Sequence, residues 1–327
     1  MYKSLMFLAA LSLLFIWNCE QSTGNLTDQE SLNTEAIQSA IEDSLDLYFD
    51  VLDDVSEENI LNDEPNWLSE HAALGKILCD RYRFGRIRTR ATERDVNIVF
   101  DSDTTATAFV HTKMGGYFLV VKCEQDGDST SYLRYQKPMV HEIDRVVKLV
   151  KINYLTDARQ NDRRRGWRIR AISLADGYSL DKNIVIEKLS IMAVGIDTVE
   201  IDDPLNYFVG GFNIFRFPRL TDVILRVQVK NNTPTPVIYP EETEATEHVR
   251  LHYGRNIRGH FARTNLNWVE KVGDSNVYEG RWTVRQFMGM HHIVFDVIDN
   301  GTILQEDADA YPYESNTWSA PYRVSLY

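Results

Sequence analysis

Cysteine is scarce in this sequence, and so are the short motifs that common enzyme classes require. The 327 residues include three cysteines and no C-x-x-C pair. There is also no G-x-x-x-x-G-K-S/T phosphate loop, no G-x-S-x-G nucleophile elbow and no H-E-x-x-H pair. These absences argue against the common nucleotide-dependent enzymes and hydrolases. The sequence therefore predicts no catalytic residue, no metal site and no cofactor.

Long hydrophobic runs are equally rare. One run of 13 residues, from Leu5 to Trp17, is interrupted only by Ser12 and preceded by Lys3. A helix needs about 20 apolar residues to cross a bilayer, so this run is short for a permanent span, and a protein with several spans is excluded. A short positive segment followed by such a run is typical of a signal peptide, which we place at residues 1–18.

A cysteine stands almost directly after the apolar run. Cys19 in this position resembles the lipid-attachment site of bacterial lipoproteins: Ile16 matches the branched aliphatic position of their motif, whereas Trp17 and Asn18 depart from its small residues. The resemblance implies a diacylglycerol on the Cys19 thiol and cleavage that leaves Cys19 as the first residue. The protein would then be exported and lipid-anchored in the cell envelope, on the periplasmic or surface face. Cleavage at a nearby site and an uncleaved anchor are the alternatives.

The other two cysteines, Cys79 and Cys123, are far apart in the sequence, and their spacing does not show whether they meet. Export to an oxidising compartment would permit a disulfide between them. Buried free thiols are the simpler prediction.

Acidic residues outnumber basic ones, and the formal net charge is −13. An acidic chain repels polyanions, so a nucleic-acid partner is not expected. The imbalance is concentrated in one segment: residues 20–64 hold 14 acidic residues and no Lys or Arg, whereas residues 65–180 hold 20 basic and 14 acidic residues. We interpret the acidic segment mainly as the solvated face of a helix.

The first half of the chain predicts helices followed by strands. Residues 19–34 are polar and predict a flexible tether. A helix is expected after it, because apolar residues recur at intervals of three and four from Ile37 to Val55. From Arg81 onward, short alternating runs divided by turn residues predict strands. This order favours an α+β domain at residues 35–178, with helices on an antiparallel sheet.

The same half resembles the NTF2-like, or cystatin-like, superfamily. The likeness lies in the long leading helix and in the closing strand Gly166 to Leu174, written G-W-R-I-R-A-I-S-L. It implies helices over a curved antiparallel sheet, often with a pocket between helix and sheet. Some members are isomerases or dehydratases that use an Asp or a His there. The candidate pocket residues are His111, His141 and Asp144, which fall in the predicted sheet; ordinary structural or surface roles are the alternative.

The second half predicts a β-sandwich. Residues 182–327 contain alternating segments divided by turn signals and almost no helical periodicity. They resemble the immunoglobulin-like modules of bacterial exported proteins, with Gly289 to Val297 as a late core strand. One connection, Asn231 to Glu247, has 17 residues and three prolines. Because that is long for a strand connection, it is either disordered or a recognition loop.

Arginines form the strongest candidate for a binding site. Arg86, Arg88 and Arg90 alternate, so their side chains would share one face of a strand. Arg168 and Arg170 alternate in the same way. If these two strands are neighbours, they form a face whose guanidinium groups suit phosphate or carboxylate ligands. The alternative is that these arginines pair with acidic residues of the protein itself.

The sequence thus favours a non-catalytic, membrane-anchored envelope lipoprotein. Its two domains would present a binding or scaffold surface to a protein or an anionic glycan. The alternative is an enzyme of the NTF2-like isomerase or hydratase type, with the sandwich as an accessory. A deep cavity lined by His111, His141 or Asp144 would favour the enzyme.

Overall fold

The computed structural model describes residues 20–44, 82–126, 129–152, 163–193, 196–210, 213–254 and 262–326. The predicted signal peptide, Cys19, Cys79 and the part of the predicted leading helix beyond residue 44 lie outside these residues.

The described residues form sixteen strands and two helices. Helix α1 spans Glu20–Glu42 and the short helix α2 spans Asn300–Leu304. The strands are β1 (Tyr82–Arg88), β2 (Glu93–Ser102), β3 (Thr105–Asp126), β4 (Ser129–Lys151), β5 (Trp167–Ser173), β6 (Ala175–Ser179), β7 (Ile184–Ala193), β8 (Ile196–Ile201), β9 (Phe208–Val209), β10 (Phe215–Pro218), β11 (Asp222–Asn231), β12 (Glu247–Gly254), β13 (Ala262–Val272), β14 (Ser275–Thr283), β15 (Gly289–Asp299) and β16 (Ser315–Ser325).

One continuous path of hydrogen-bonded strands joins the two halves of the chain. Its order is β1-β3-β4-β6-β16-β15-β12-β13-β14-β11-β7-β8. Strand β10 adds a parallel pairing to β16. Strand β6 pairs with β4 on one side and with β16 on the other. Backbone hydrogen bonds therefore cross from the first predicted domain into the second.

The predicted α+β, NTF2-like fold is wrong, because the described part of the first half is dominated by strands. Strands β3 and β4 span 22 and 23 residues and pair along their whole lengths. Helix α1 begins at Glu20, inside the segment predicted to be a tether, and contacts the sheet at β5. A local helical period does not reveal how much of a sheet the helix will cover. Here α1 packs at one end of the β3-β4 sheet, and β15 packs against β1, β3 and β4 at the other.

The β-sandwich prediction for the second half is confirmed at the level of architecture. Strands β7, β11 and β14 form one layer, and β12, β15 and β16 form the other. Strand β13 joins the layers, since its first part pairs with β12 and its second part with β14. The core between them includes Val223, Leu225 and Val227 of β11 and Phe295 and Val297 of β15.

The β12-β15-β16 layer is also covered on its other face. Strands β1, β3 and β4 pack there with α2, and this second core includes Phe84, Phe118, Ile298 and Ile303. Lys137 is fully buried beside it, and its ammonium group donates to the main-chain oxygens of residues 301 and 311. Burial lowers the pKa of Lys137 to about 8. A central layer with both faces buried places polar groups of β1 and β15 in direct contact.

Candidate functional site

The two arginine-bearing strands are not neighbours. Strand β1 pairs with the second half of β3, whereas β5 pairs with the end of β4 and with β9. These pairings lie at opposite ends of the long β3-β4 hairpin. The arginines of β1 and β5 therefore do not form one face.

The four candidate arginines other than Arg86 have different exposures and different neighbours. Arg88 is exposed and donates a hydrogen bond of 2.8 Å to the hydroxyl of Thr92. Arg90 is exposed and lines a surface cleft of about 270 Å³. Arg168 is half-buried and donates to the main-chain oxygen of the preceding residue, and Arg170 is exposed.

Arg86 lies in a buried ionic network between β1 and β15. Its guanidinium donates to both carboxylate oxygens of Asp296, at 2.7 and 2.6 Å, and to the hydroxyls of Tyr313 and Ser315, at 2.6 and 2.7 Å. The Nε2 atom of His252 lies 3.2 Å from the same carboxylate. Burial opposes the ionisation of Asp296, but Arg86 outweighs it and holds the pKa of that carboxyl well below its usual range. Arg86 is thus already neutralised inside the protein.

His141 belongs to the same network. Its Nδ1 atom lies 3.0 Å from the hydroxyl of Tyr313, and its Nε2 atom lies 3.2 Å from the hydroxyl of Thr317. Burial and the nearby Arg86 charge lower the pKa of His141 to about 3. The ring is therefore neutral at physiological pH and serves to connect two hydroxyl groups.

His111 and Asp144 meet on the opposite face of the β3-β4 sheet. They are directly opposite in the strand register, and His111 Nδ1 lies 2.8 Å from Asp144 Oδ1. The hydroxyl of Tyr178 donates to the other carboxylate oxygen at 2.6 Å. Burial and the Asp144 charge raise the pKa of Tyr178. Since His141 precedes Asp144 by three residues in the same strand, it lies on the other face and is not part of this group.

A cleft of about 260 Å³ lies beneath the loop of residues 232–246, which joins β11 to β12. Asn300, the first residue of α2, holds this loop in place. Its side-chain amide donates to the main-chain oxygens of Val237, Tyr239 and Ala245, at 3.2, 3.3 and 3.1 Å. The long connection identified in the sequence is therefore an ordered wall of a cleft, which we call the loop cleft.

Aromatic, amide and other apolar side chains line this loop cleft, the other apolar residues being Pro240, Ala245, Val249, Leu266, Ile303 and Leu304. Tyr239 comes from the loop, Trp268 from β13 and Tyr278 from β14. The polar residues that line it are Thr243, Glu247, His248, Asn265, Asn267 and Asn300. Among the described residues that line the cleft there is neither Arg nor Lys, and Glu247 is the single carboxylate.

Glu247 fixes the positions of two aromatic side chains, Tyr278 directly and Trp268 through Asn276. It is buried, and its carboxylate accepts hydrogen bonds from Tyr278 at 2.7 Å, from Asn276 at 3.2 Å and from the hydroxyl of Thr246. The side chain of Asn276 in turn accepts from the Trp268 indole N–H at 3.1 Å. Burial raises the pKa of Glu247 in spite of its donors. The polar edges of Trp268 and Tyr278 are therefore held in fixed positions.

No sequence pattern marks Glu247 as a polar anchor, or Trp268 and Tyr278 as cleft residues. The sequence signal for this site is the length of the loop. Residues 265–268 carried no such signal, because an Asn-rich strand segment has many ordinary interpretations. Only the pairing of β13 with both layers brings these residues under the loop.

Three further observations concern membrane-spanning helices, metal ligands and Cys123. Among them, no helix has the length and hydropathy to cross a membrane. No group of three or more His, Cys, Asp or Glu side chains in this part of the chain is placed to hold a metal ion. Cys123 is disulfide-bonded, in contrast to the free thiol expected, and its partner lies outside the described residues.

Comparison with known proteins assigns no family. No protein-family model matches the chain, and no curated protein matches it. The function must therefore be inferred from the geometry and chemistry of the clefts and charged groups.

Proposed function

We propose that this protein is a non-catalytic, lipid-anchored protein of the cell envelope that binds one ring of a neutral glycan in the loop cleft. The observation that carries the proposal is that two partly exposed aromatic residues, Tyr239 and Trp268, line one small cleft together with amide side chains, while the third aromatic lining residue, Tyr278, is buried.

The chemistry of the cleft suits a sugar ring. A sugar presents a face of C–H groups and a rim of hydroxyls, and aromatic rings supply large apolar contact surfaces with little flexibility. Side-chain amides both donate and accept hydrogen bonds, so Asn265 and Asn267 can meet hydroxyls in either role. The amide group of Asn300 already donates to the loop. The absence of Arg and Lys from the described lining favours a neutral ring over an anionic one.

The size of the cleft favours a single ring. Sites for drug-sized ligands have volumes of roughly 300–1,000 Å³. The loop cleft, at about 260 Å³, is slightly smaller. We therefore propose that it holds one unit of a longer glycan whose remainder stays outside.

The cleft suits binding better than hydrolysis. Glycoside hydrolysis uses two carboxyl groups separated by roughly 5–10 Å. Glu247 is the single carboxylate among the described lining residues, and it already accepts three hydrogen bonds from its neighbours. A second acidic group to complete a catalytic pair is therefore missing from the described lining.

Replacing Trp268 with alanine is expected to weaken glycan binding about tenfold or more, because it removes the apolar area that the ring buries and, in addition, an aromatic contact of roughly 0.5–1.5 kcal/mol. The probes are neutral oligosaccharides of glucose, mannose and N-acetylglucosamine, titrated calorimetrically into the full chain. The matched control is Val269→Ala, since Val269 is the next residue in β13 and is 46% exposed. Equal binding by wild type and Trp268→Ala, or no binding of any probe at millimolar concentration, would contradict the proposal.

Anchoring in the envelope is proposed from the N-terminal sequence. The apolar run of residues 5–17 and the cysteine at position 19 support export and lipidation. The disulfide at Cys123 supports an oxidising compartment. A lipidated Cys19 has no free thiol, so the proposal requires Cys79 to be the disulfide partner of Cys123.

Replacing Cys19 with alanine is expected to move the protein from the membrane fraction to the soluble exported fraction, because the acylated thiol is lost. The matched control is Cys79→Ser, which should stay with the membrane but expose a reactive thiol at Cys123. Both results can be measured by cell fractionation and by mass spectrometry after thiol alkylation without reduction. Unchanged membrane retention of Cys19→Ala after a wash in about 1 M salt, which screens attachment through surface charge, would rule out lipid attachment at this residue.

A further inference from the structure

One end of the sandwich combines arginines with exposed apolar side chains. Three segments meet there, residues 214–221, 284–290 and 321–326, which we call the arginine end. They contain Arg216, Arg219, Arg285 and Arg323 and no Asp or Glu. All four arginines are exposed.

Backbone hydrogen bonds hold the three segments side by side. The amide of Arg219 donates to the carbonyl of Ser325, and the amide of Leu220 donates to the carbonyl of Val284. Strand β10 pairs with β16 so that Arg216 lies beside Arg323. The start of β15 pairs with the end of the same strand. The arginines therefore belong to one continuous surface.

Four large apolar side chains project from this surface. Leu220 and Phe287 are each 63% exposed, Met288 is 56% exposed and Leu326 is 50% exposed. Leu220 has a φ of 60°, a backbone conformation that leucine rarely adopts. Grouped exposure of large apolar residues on a folded protein marks an interaction site more often than scattered exposure does.

The charge of this end is opposite to that of the whole protein. The complete chain has a formal net charge of −13, whereas the three segments carry four positive charges and no acidic residue. The adjacent Asp222 is already contacted by Arg281 and by the hydroxyl of Thr283. An anionic surface would repel most of the protein and attract this end, so the charge distribution also sets an orientation.

We infer that the arginine end docks on an anionic lipid surface. Guanidinium groups bind lipid phosphates through paired hydrogen bonds, while leucine, phenylalanine and methionine side chains enter the boundary between headgroups and acyl chains. A free polyanion would use the arginines alone and a hydrophobic protein partner would use the apolar residues alone. A membrane uses both at the same time.

The docked orientation would leave the loop cleft free. Strands β11 and β15 start at the arginine end and finish beside the 232–246 loop and α2. Ten or eleven residues of extended strand span roughly 30 Å. A protein lying with its arginine end on a membrane would therefore hold the loop cleft about that far from the lipid, although the docking does not depend on what the cleft binds.

The test places a bimane label on Phe287→Cys in the full chain and measures its quenching by lipids with brominated acyl chains. The labelled protein also carries Cys19→Ala, so that an acyl anchor does not hold it on every vesicle. In vesicles that contain phosphatidylglycerol, we expect quenching at least twofold greater than in phosphatidylcholine vesicles. Arg285→Glu with Arg323→Glu should abolish that difference. The matched control, Arg88→Glu with Arg170→Glu, changes the same charge at two exposed sites elsewhere and should preserve it.

Each other outcome would overturn the inference. Equal quenching in both kinds of vesicle, or none in either, would show that anionic lipid does not recruit this end. Loss of quenching on addition of 10 mM inorganic phosphate would show that a free anion is the ligand. A label that becomes buried without vesicles as the protein concentration rises would indicate contact with a second copy of the chain.

Discussion

Replacing Asp296 with asparagine is expected to lower the free energy of unfolding by about 3–5 kcal/mol, because it leaves the charge of Arg86 buried without a counter-charge. Both side chains are almost fully buried, with 2% of the Asp296 side chain and 8% of the Arg86 side chain exposed. Two short hydrogen bonds join them across the interface between β1 and β15. Urea unfolding monitored by circular dichroism would measure the loss.

Two companion variants separate this effect from ordinary strand substitutions. Arg88 lies two residues after Arg86 in the same strand but is exposed, so Arg88→Met should change the free energy of unfolding by no more than about 0.5 kcal/mol. The double variant Arg86→Met with Asp296→Leu removes both charges and should cost less than the two single changes added together. If the losses of Arg86→Met and Asp296→Leu measured separately add up to the loss of the double variant, the two side chains are not coupled.

The same ion pair predicts how stability depends on acid pH. An unfolded Asp has a pKa near 3.9, and the folded pKa of Asp296 lies well below its usual range. A group with a depressed folded pKa stabilises the protein above its unfolded pKa, and this contribution is lost as the pH falls towards the folded pKa. Wild type should therefore lose stability below about pH 4 more steeply than Asp296→Asn. Parallel curves for the two proteins would contradict the assignment.

Replacing Trp282 with alanine is expected to cost about 3–5 kcal/mol of stability, because it opens a large cavity in the sandwich core. Trp282 is 1% exposed. Its ring meets the rings of Tyr322, Phe217 and Tyr253 at centroid distances of 5.1, 5.5 and 5.5 Å. Urea unfolding again measures the change.

Phe287→Ala supplies the matched control for this cavity. Phe287 follows Trp282 by five residues but is 63% exposed, so its loss should change stability by about 0.5 kcal/mol or less. Comparing Trp282→Ala with Phe287→Ala separates the effect of burial from the effect of losing an aromatic ring. A loss of less than about 1 kcal/mol in Trp282→Ala would show that the cluster does not stabilise the sandwich.

Local signals in the sequence predicted the strands of the second half, because alternation with a period of two is visible without knowing the partner strand. In the first half the alternation after Arg81 also matches strands, but the α+β fold predicted for that half is wrong. A helical period near Ile37 and the strands after Arg81 were combined into an α+β unit, yet β6 pairs with β16 from the far end of the chain. Such a pairing joins residues about 140 positions apart, as Asn316 with Tyr178 shows, and a local pattern contains no information about it.

Some features of the candidate sites could also be predicted from the sequence, whereas others depend on the tertiary structure. The sequence identified the long proline-containing loop from its length, and it drew attention to Arg86 from the alternation of arginines. It could not show that Arg86 would be neutralised by Asp296, which lies 210 residues away. Nor could it show that Trp268 and Tyr278 would meet beneath the loop. These are consequences of which strands lie side by side.

The residues alone determined the acidic balance of the chain, the apolar run of residues 5–17 with Cys19 after it, and the alternating pattern of most strands, since each depends on composition or on near neighbours. The tertiary structure alone decided that the halves share one hydrogen-bonded path, that β12, β15 and β16 are buried on both faces, and that four arginines gather at one end. The physical reason is that burial, ion pairing and surface charge depend on distances in space. The pairing of strands determines those distances, and they cannot be read from the order of residues.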